Sequence, residues 1–225
     1  KIMTDKKIST FAFAALGLGL ALTAHAAHVH ASSKAIHKLE TDQQEFKIGR
    51  HAFTYCYQKP VLAGNTKAIK KINAAWEKDY QHNQHNFALL KEAAVALKDL
   101  DTTCSSRFLV TVTYNKHGVI SFRQDAEFYP VAAGYHKYNG GAYSLTTGNR
   151  IPVYDLVKGS REVVLARLKQ EAEKQDALNF YDQAASNLDE LNYTIAPDGM
   201  VYIYPQFFKA TGRDAIVVSG IFEKE

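Results

Sequence analysis

The chain has 225 residues, of which 27 are Lys or Arg and 23 are Asp or Glu, so its formal net charge is +4. Residues 1–26 hold three Lys and one Asp, and the chain without them carries a net charge of +2. A charge this small, without basic blocks, argues against a nucleic-acid-binding protein. The length of the chain is enough for one domain with a substantial core or for two small domains.

The N-terminal segment predicts export. Two lysines precede an uncharged apolar run at 11–22, and Ala24 and Ala26 supply the small residues that a signal peptidase requires. We therefore expect residues 1–26 to be a signal peptide and the protein to be secreted or periplasmic. The apolar run is shorter than the roughly 20 residues that span a bilayer, so we expect no membrane span after signal removal.

The segment after the signal peptide is polar and rich in small residues. Residues 27–43 therefore predict a mobile leader. The remainder, 44–225, contains no linker or internal repeat and is interpreted as one domain. It opens with an extended run in which Phe53, Tyr55 and Tyr57 share one parity, as in a half-buried strand.

A helical pattern follows this strand. Between Ile69 and Leu97 the apolar residues recur at steps of three and four, which predicts one long amphipathic helix. His82 and His85 lie within it at i and i+3, a spacing that lets both rings reach one metal ion. Zinc needs further ligands that the pattern does not mark, so we favour two solvated histidines and predict neither a metal site nor a cofactor.

The second half of the chain is dominated by hairpins. From Phe108 the apolar period changes to two, residues 115–118 supply a turn, and 119–129 return as the partner strand. A shorter hairpin is predicted over 142–153, and Ser160 opens a second helical block. Strands grouped around inserted helices predict an α+β domain with a mainly antiparallel sheet, a long N-terminal amphipathic helix and a second helical block.

Two cysteines in an exported chain favour a disulfide. Joining Cys56 to Cys104 would close a loop of about 48 residues and contribute roughly 4 kcal/mol to stability. The alternative is a pair of buried free thiols.

Several short motifs carry a family resemblance. They are Tyr57-Gln58-Lys59-Pro60, Ala133-Gly134-Tyr135-His136, the run from Tyr143 to Gly148, Tyr154-Asp155-Leu156-Val157, and the run from Pro197 to Pro205. In this order they resemble the extracytoplasmic domain of the RsiV anti-sigma factor and the N-terminal domain of the PdaC peptidoglycan deacetylase, over residues 46–222. Ala133 and Tyr135 depart from the Gly-Gly-Ala-His pattern of that family.

The resemblance implies an extracytoplasmic module, which in RsiV is a region that binds lysozyme. Its histidine corresponds to His136, and we predict a binding loop formed by Gly134, Tyr135, His136 and Tyr138. The alternative for His136 is a turn residue hydrogen-bonded to the backbone. No catalytic residue is predicted, because no nucleophile stands in a recognisable frame.

Two functions remain open at the level of the sequence. The first is a non-catalytic, exported domain that binds a cell-envelope partner, either a lysozyme-like protein or peptidoglycan or another glycan. The second is a peptidoglycan hydrolase or deacetylase that uses His136 with an acidic residue such as Glu127 or Asp155.

Overall fold

The computed structural model describes residues 37–49, 51–96, 104–129, 135–156, 160–176, 178–186, 188–204 and 216–218. The predicted signal peptide, 1–26, lies outside these ranges. Within them, none of the helices combines the length and the apolar character that crossing a bilayer requires.

A six-stranded sheet forms the centre of the fold, and its strands lie side by side in chain order. The strands are β1 (His37–Ile48), β2 (His51–Leu62), β3 (Cys104–Lys116), β4 (Val119–Tyr129), β5 (Tyr135–Ser144) and β6 (Arg150–Ile151). Neighbouring strands pair antiparallel except β2 and β3, which run parallel.

The parallel pair follows from helix α1 (Lys67–Ala96), which connects β2 to β3. A helical crossover returns the chain to the end of the sheet where β2 began, so β3 enters in the same direction. The predicted fold class is therefore wrong: the six-stranded sheet is mixed, because it contains the parallel pair β2–β3. The long helix predicted between Ile69 and Leu97 corresponds to α1, but it is not N-terminal among the described residues, since two strands precede it.

Helix α1 is fixed to the end of β2 by polar contacts at its start. The Thr66 hydroxyl accepts a hydrogen bond from the Ile69 N–H (3.2 Å), an N-terminal cap of the first turn. The Asn73 side chain exchanges two 2.9 Å hydrogen bonds with the backbone of Leu62. Ile72 is fully buried beneath the helix against the sheet, so one face of α1 closes the core.

A polar network joins the β1–β2 hairpin to the middle of α1. Asp42 accepts hydrogen bonds from the Tyr80 hydroxyl and the Gln84 amide, both at 2.8 Å. Burial and the bond to Asp42 raise the pKa of Tyr80 to about 12. The Tyr55 hydroxyl donates to the Asn83 carbonyl (2.8 Å), so an aromatic strand meets an amide-rich stretch of helix.

The other face of β4 and β5 is covered by the C-terminal part of the chain. Its elements are α2 (Val153–Leu156), α3 (Arg161–Lys174), α4 (Leu178–Ser186), a 3-10 turn (Leu188–Glu190), and a second antiparallel sheet of β7 (Asn192–Ile195), β8 (Val201–Tyr204) and β9 (Ile216–Val218). The Ile195 N–H donates to the Ser121 hydroxyl (3.1 Å), which ties β7 to β4. Tyr193, Ile195 and Leu168 are fully buried in the resulting core.

Both predicted hairpins are confirmed. The β3–β4 hairpin turns at His117 and Gly118, both of which have positive φ angles, as a two-residue hairpin turn requires. The shorter hairpin corresponds to β5 and β6, which pair at Ala142 and Ile151. The predicted leader, 27–43, overlaps β1, because that strand already begins at His37.

The predicted disulfide is not present. Cys56 is a free cysteine in the part of the chain that the structure describes. In the register of β2 and β3, Cys104 lies opposite Phe53, whereas Cys56 lies opposite Arg107. The two cysteines are thus three residues out of register, roughly 10 Å along the strands, and a disulfide rarely joins Cα atoms more than about 7 Å apart.

Candidate functional site

A polar groove lies between α1 and strands β4 and β5. It consists of two adjoining cavities of about 540 and 400 Å³. Asp79, Gln124, Lys137 and Asn139 line both cavities, which therefore form one continuous depression. We call it the α1–β5 groove.

The groove exists because β5 presents little side-chain volume to α1 at its middle. Gly141 has no side chain there, and the Arg150 guanidinium occupies the space beside it: a Cβ on Gly141 would lie 2.7 Å from Arg150 Nε. Over the neighbouring strands, by contrast, large apolar residues such as Ile72 and Phe122 fill the space beneath the helix. The floor of the groove is therefore β5, and α1 forms one wall.

Aromatic rings stand at the end of the groove nearest the start of α1. Trp76, on α1, packs edge-on against Phe122 with ring centroids 5.3 Å apart, and Tyr143 also packs edge-on against Phe122, at 6.1 Å. Both Trp76 and Tyr143 line the larger cavity. Phe122 thus holds the two rings in fixed positions at one end of the groove.

Five side-chain amides also line the groove. They come from α1, β4, β5 and β7, namely Asn83, Asn86, Gln124, Asn139 and Asn192. Asn139 donates to the Gln124 carbonyl (2.9 Å), and the Asn192 carbonyl accepts from the Gly140 N–H (3.3 Å). Each amide offers both donors and acceptors, so the groove is chemically suited to a ligand that also does both.

Two buried donors of the groove have no hydrogen-bond partner among the described residues. They are the indole Nε1 of Trp76 and the amide Nε2 of Gln124. Gln124 is 4 % exposed. The Tyr57 hydroxyl lies beside this amide, and their interaction lowers the Tyr57 pKa against the larger, opposite effect of burial. The amide nitrogen nevertheless makes no hydrogen bond of normal geometry to any described residue. Burying a donor without a partner lowers the stability of the folded protein, so a ligand that accepts from these two atoms would recover free energy.

The groove contains acidic and basic side chains, and some of them form hydrogen bonds that stabilise the fold. Asp79 accepts a short hydrogen bond from the Tyr57 hydroxyl, and burial followed by the charge of Asp79 raises the Tyr57 pKa. Arg150 donates to the backbone carbonyls of Gly140 (3.1 Å) and Asp189 (3.1 Å). Its guanidinium therefore connects β5 to the segment before β7 and is part of the scaffold of the groove.

The predicted binding residues do not form a loop. Tyr135, His136 and Tyr138 belong to β5, and Gly134 lies outside the described residues. His136 and Tyr138 are half-buried, with ring centroids 4.9 Å apart. They occupy the face of the sheet opposite to α1, whereas Lys137 between them lines the groove. Their role in binding stays a prediction.

The structure also shows where the two acidic residues of the predicted catalytic alternative lie relative to His136. Glu127 lies directly opposite His136 in the β4–β5 register, and its carboxylate forms an ion pair with Arg107 at 3.3 Å. Asp155 is part of the short helix α2, on a different element. The structure therefore brings Glu127 next to His136, on the face of the sheet that the groove does not use.

Sequence reasoning missed the groove, although one signal for it was present. Phe122 and Ala126 of β4 are buried and face α1, and Gln124, at the same parity, is polar. A polar residue at an inward position of an otherwise apolar strand marks either a buried network or a site. His82, predicted to be a solvated residue rather than a metal ligand, is exposed and lines the smaller cavity.

Comparisons with known proteins identify similar solved structures but no similar sequence family. No protein-family model matches the chain, and no curated protein matches it. A solved structure of a DUF3298 family member from Bacteroides fragilis is similar, with a TM-score of 0.59 and 11% identity over 85% of this chain and 92% of that chain. A DUF3298 family protein from Pseudomonas aeruginosa is also similar, with a TM-score of 0.53 and 11% identity over 84% and 91% of the two chains.

These similarities establish the fold alone, because the identity is low. They agree with the resemblance drawn from the motifs, since the DUF3298 family is related to the RsiV and PdaC domains. That this chain belongs to the family of the RsiV and PdaC domains stays a prediction.

Proposed function

We propose that the protein is an exported, non-catalytic module that binds a glycan of the cell envelope in the α1–β5 groove. The observation that carries the proposal is the lining of the groove, in which two fixed aromatic rings stand beside a set of side-chain amides. Export rests on the predicted signal peptide. The envelope as the place of action rests on the resemblance to extracytoplasmic domains.

The lining suits a saccharide for a chemical reason. A sugar ring has apolar C–H faces, which pack against aromatic rings such as Trp76 and Tyr143. Its hydroxyl groups both donate and accept hydrogen bonds, as the amides of Asn83, Asn86 and Asn139 also do. The larger cavity, at about 540 Å³, is within the usual range for a small-molecule site.

The charges of the groove favour a neutral ligand. Two acidic residues, Asp79 and Glu190, and two basic residues, Lys137 and Arg150, line the larger cavity. Opposite charges in equal number give no strong attraction for an anion or a cation. An uncharged saccharide fits this balance better than a polyanionic wall polymer.

Protein partners receive less support from the surface. The large apolar side chains that are exposed in the described part of the chain are scattered, since Val95, Tyr129, Val163 and Leu178 lie on four different elements. Isolated apolar residues are normal on a monomer and do not mark a docking site. The concave, amide-lined groove therefore favours a glycan over a lysozyme-like protein.

The chain offers a direct probe of the groove, because Trp76 is its single tryptophan. Titration with soluble peptidoglycan fragments should change tryptophan fluorescence saturably. Asn86→Ala should weaken the binding, whereas the exposed Asn65, which does not line the groove, provides a matched control in Asn65→Ala. No fluorescence change with any fragment, or tight binding of lysozyme without a change at Trp76, would overturn the proposal.

A further inference from the structure

We infer that the α1–β5 groove recognises the acetamido group of an N-acetylated amino sugar. This inference rests on the proposed function and narrows its ligand class. It starts from the two unpaired buried donors of the larger cavity, Trp76 Nε1 and Gln124 Nε2.

Both unpaired atoms are donors, so the group that completes them must be an acceptor. The indole nitrogen carries one N–H and no acceptor, and the Gln124 carbonyl oxygen is already used by Asn139. A ligand that supplied only donors would leave both atoms unpaired. Hydroxyl groups, carbonyls and carboxylates remain as candidate partners.

The surroundings select among these acceptors. A carboxylate would enter a cavity lined by Asp79 and Glu190, and the Arg150 guanidinium there already donates to three backbone carbonyls, those of Gly140, Asp189 and Leu191. Lys137 is the other basic residue of this lining, so two acidic and two basic residues give a carboxylate no net attraction, and a neutral acceptor avoids the like-charge contact. An amide carbonyl is a stronger acceptor than a hydroxyl oxygen and carries no charge, so it fits both requirements.

The aromatic residues favour a carbonyl that is joined to a methyl group. Trp76 is half-buried, and its ring packs against the buried Phe122. An acetamido group places an apolar methyl beside such rings while its oxygen accepts from a donor. Acetylation of the sugar amine also removes a positive charge, which matches the balanced charge of the groove.

A panel of three oligosaccharides with the same β-1,4 linkage tests the inference. The probes are oligomers of N-acetylglucosamine, glucosamine and glucose, and affinities are measured by calorimetry on the full chain. We expect the N-acetylated oligomer to bind about tenfold more tightly than the glucose oligomer, equivalent to about 1.4 kcal/mol. The glucosamine oligomer should bind no better than the glucose oligomer.

Two variants remove the donor groups. Gln124→Met conserves volume, and Trp76→Phe keeps an aromatic ring without the N–H. Each should reduce severalfold the ratio of the affinity for the N-acetylated oligomer to the affinity for the glucose oligomer, both measured on the same variant. Gln81→Met, at an exposed position of α1 that does not line the groove, is the matched control and should retain the preference.

The outcomes separate the inference from the proposed function. Equal binding of all three oligomers, or variants that keep the full preference, would overturn acetamido recognition and leave glycan binding in place. Stronger binding of the glucosamine oligomer would overturn it as well. Binding of none of the oligomers or of peptidoglycan fragments would remove the proposed function, and the inference with it.

Discussion

Tyr193 is expected to be a principal stabilising residue of the contact between the second sheet and strands β5 and β6. It is fully buried on β7, and its hydroxyl accepts a hydrogen bond from the Ala142 N–H (3.2 Å) and donates one to the Ile151 carbonyl. Its ring also stacks against the Arg150 guanidinium at 5.3 Å. One hydroxyl group thus connects the second sheet to both β5 and β6.

Tyr193→Phe removes this hydroxyl and keeps the ring. Two backbone groups, the N–H of Ala142 and the carbonyl of Ile151, lose a buried partner, and each such loss costs about 1–3 kcal/mol. We expect the free energy of unfolding to fall by about 2–4 kcal/mol, which for a domain of this size lowers the melting temperature by roughly 5–15 °C.

Chemical denaturation and thermal melting measure this loss. The matched control is Tyr202→Phe on the adjacent strand β8, because Tyr202 is only half-buried and its change should stay within about 0.5 kcal/mol. Equal melting temperatures for wild type and Tyr193→Phe would refute the reasoning, since they would mean that the hydroxyl does not hold β5 and β6 to the second sheet.

Three further outcomes are expected. Gly140→Ala should destabilise the fold by about 1–3 kcal/mol in denaturant titration, because its Cβ would lie 2.6 Å from a backbone carbonyl oxygen of β7; a neutral effect would show that the two sheets are not in close contact there. The hydrogen bond from Lys59 (2.5 Å) holds the pKa of Glu77 below its usual value. The stability it contributes, under about 1 kcal/mol for an exposed carboxylate, is present above the unfolded pKa of about 4.3 and is lost as pH falls through the folded pKa. Stability of Lys59→Met should therefore fall less steeply than that of wild type between about pH 5 and pH 3, and parallel curves would contradict the pairing. Finally, mass spectrometry of denatured, unreduced protein after alkylation should find two labelled thiols, and an unlabelled pair would contradict the register that separates Cys56 from Cys104.

Local elements were predictable from the sequence because their signals are local. The alternation that ends at Asn115 and resumes at Val119 requires a turn between two strands, and a Gly at a positive φ angle satisfies it. Strand direction carries no such local signal. The parallel pairing of β2 and β3 depends on where α1 delivers the chain, and the amino-acid pattern of the strands does not encode it.

The groove was not predictable because it depends on which face each residue occupies. Two of the predicted binding residues, His136 and Tyr138, occupy even positions of β5, which face away from α1. Lys137 and Asn139, at the odd positions, line the groove. Because the pleat places neighbouring residues of a strand on opposite faces, two consecutive residues cannot both belong to a site on one face of the sheet.

The most direct measurement of glycan binding in the groove is a nitrogen–proton correlation spectrum, because a single tryptophan gives a single indole N–H signal. On titration with an N-acetylglucosamine oligomer, we expect the Trp76 indole signal and the Gln124 side-chain amide signals to shift with one common dissociation constant. Signals of His136 and Tyr138, on the opposite face of β5, should stay in place. Shifts at those two residues with an unmoved indole signal would contradict the proposed site.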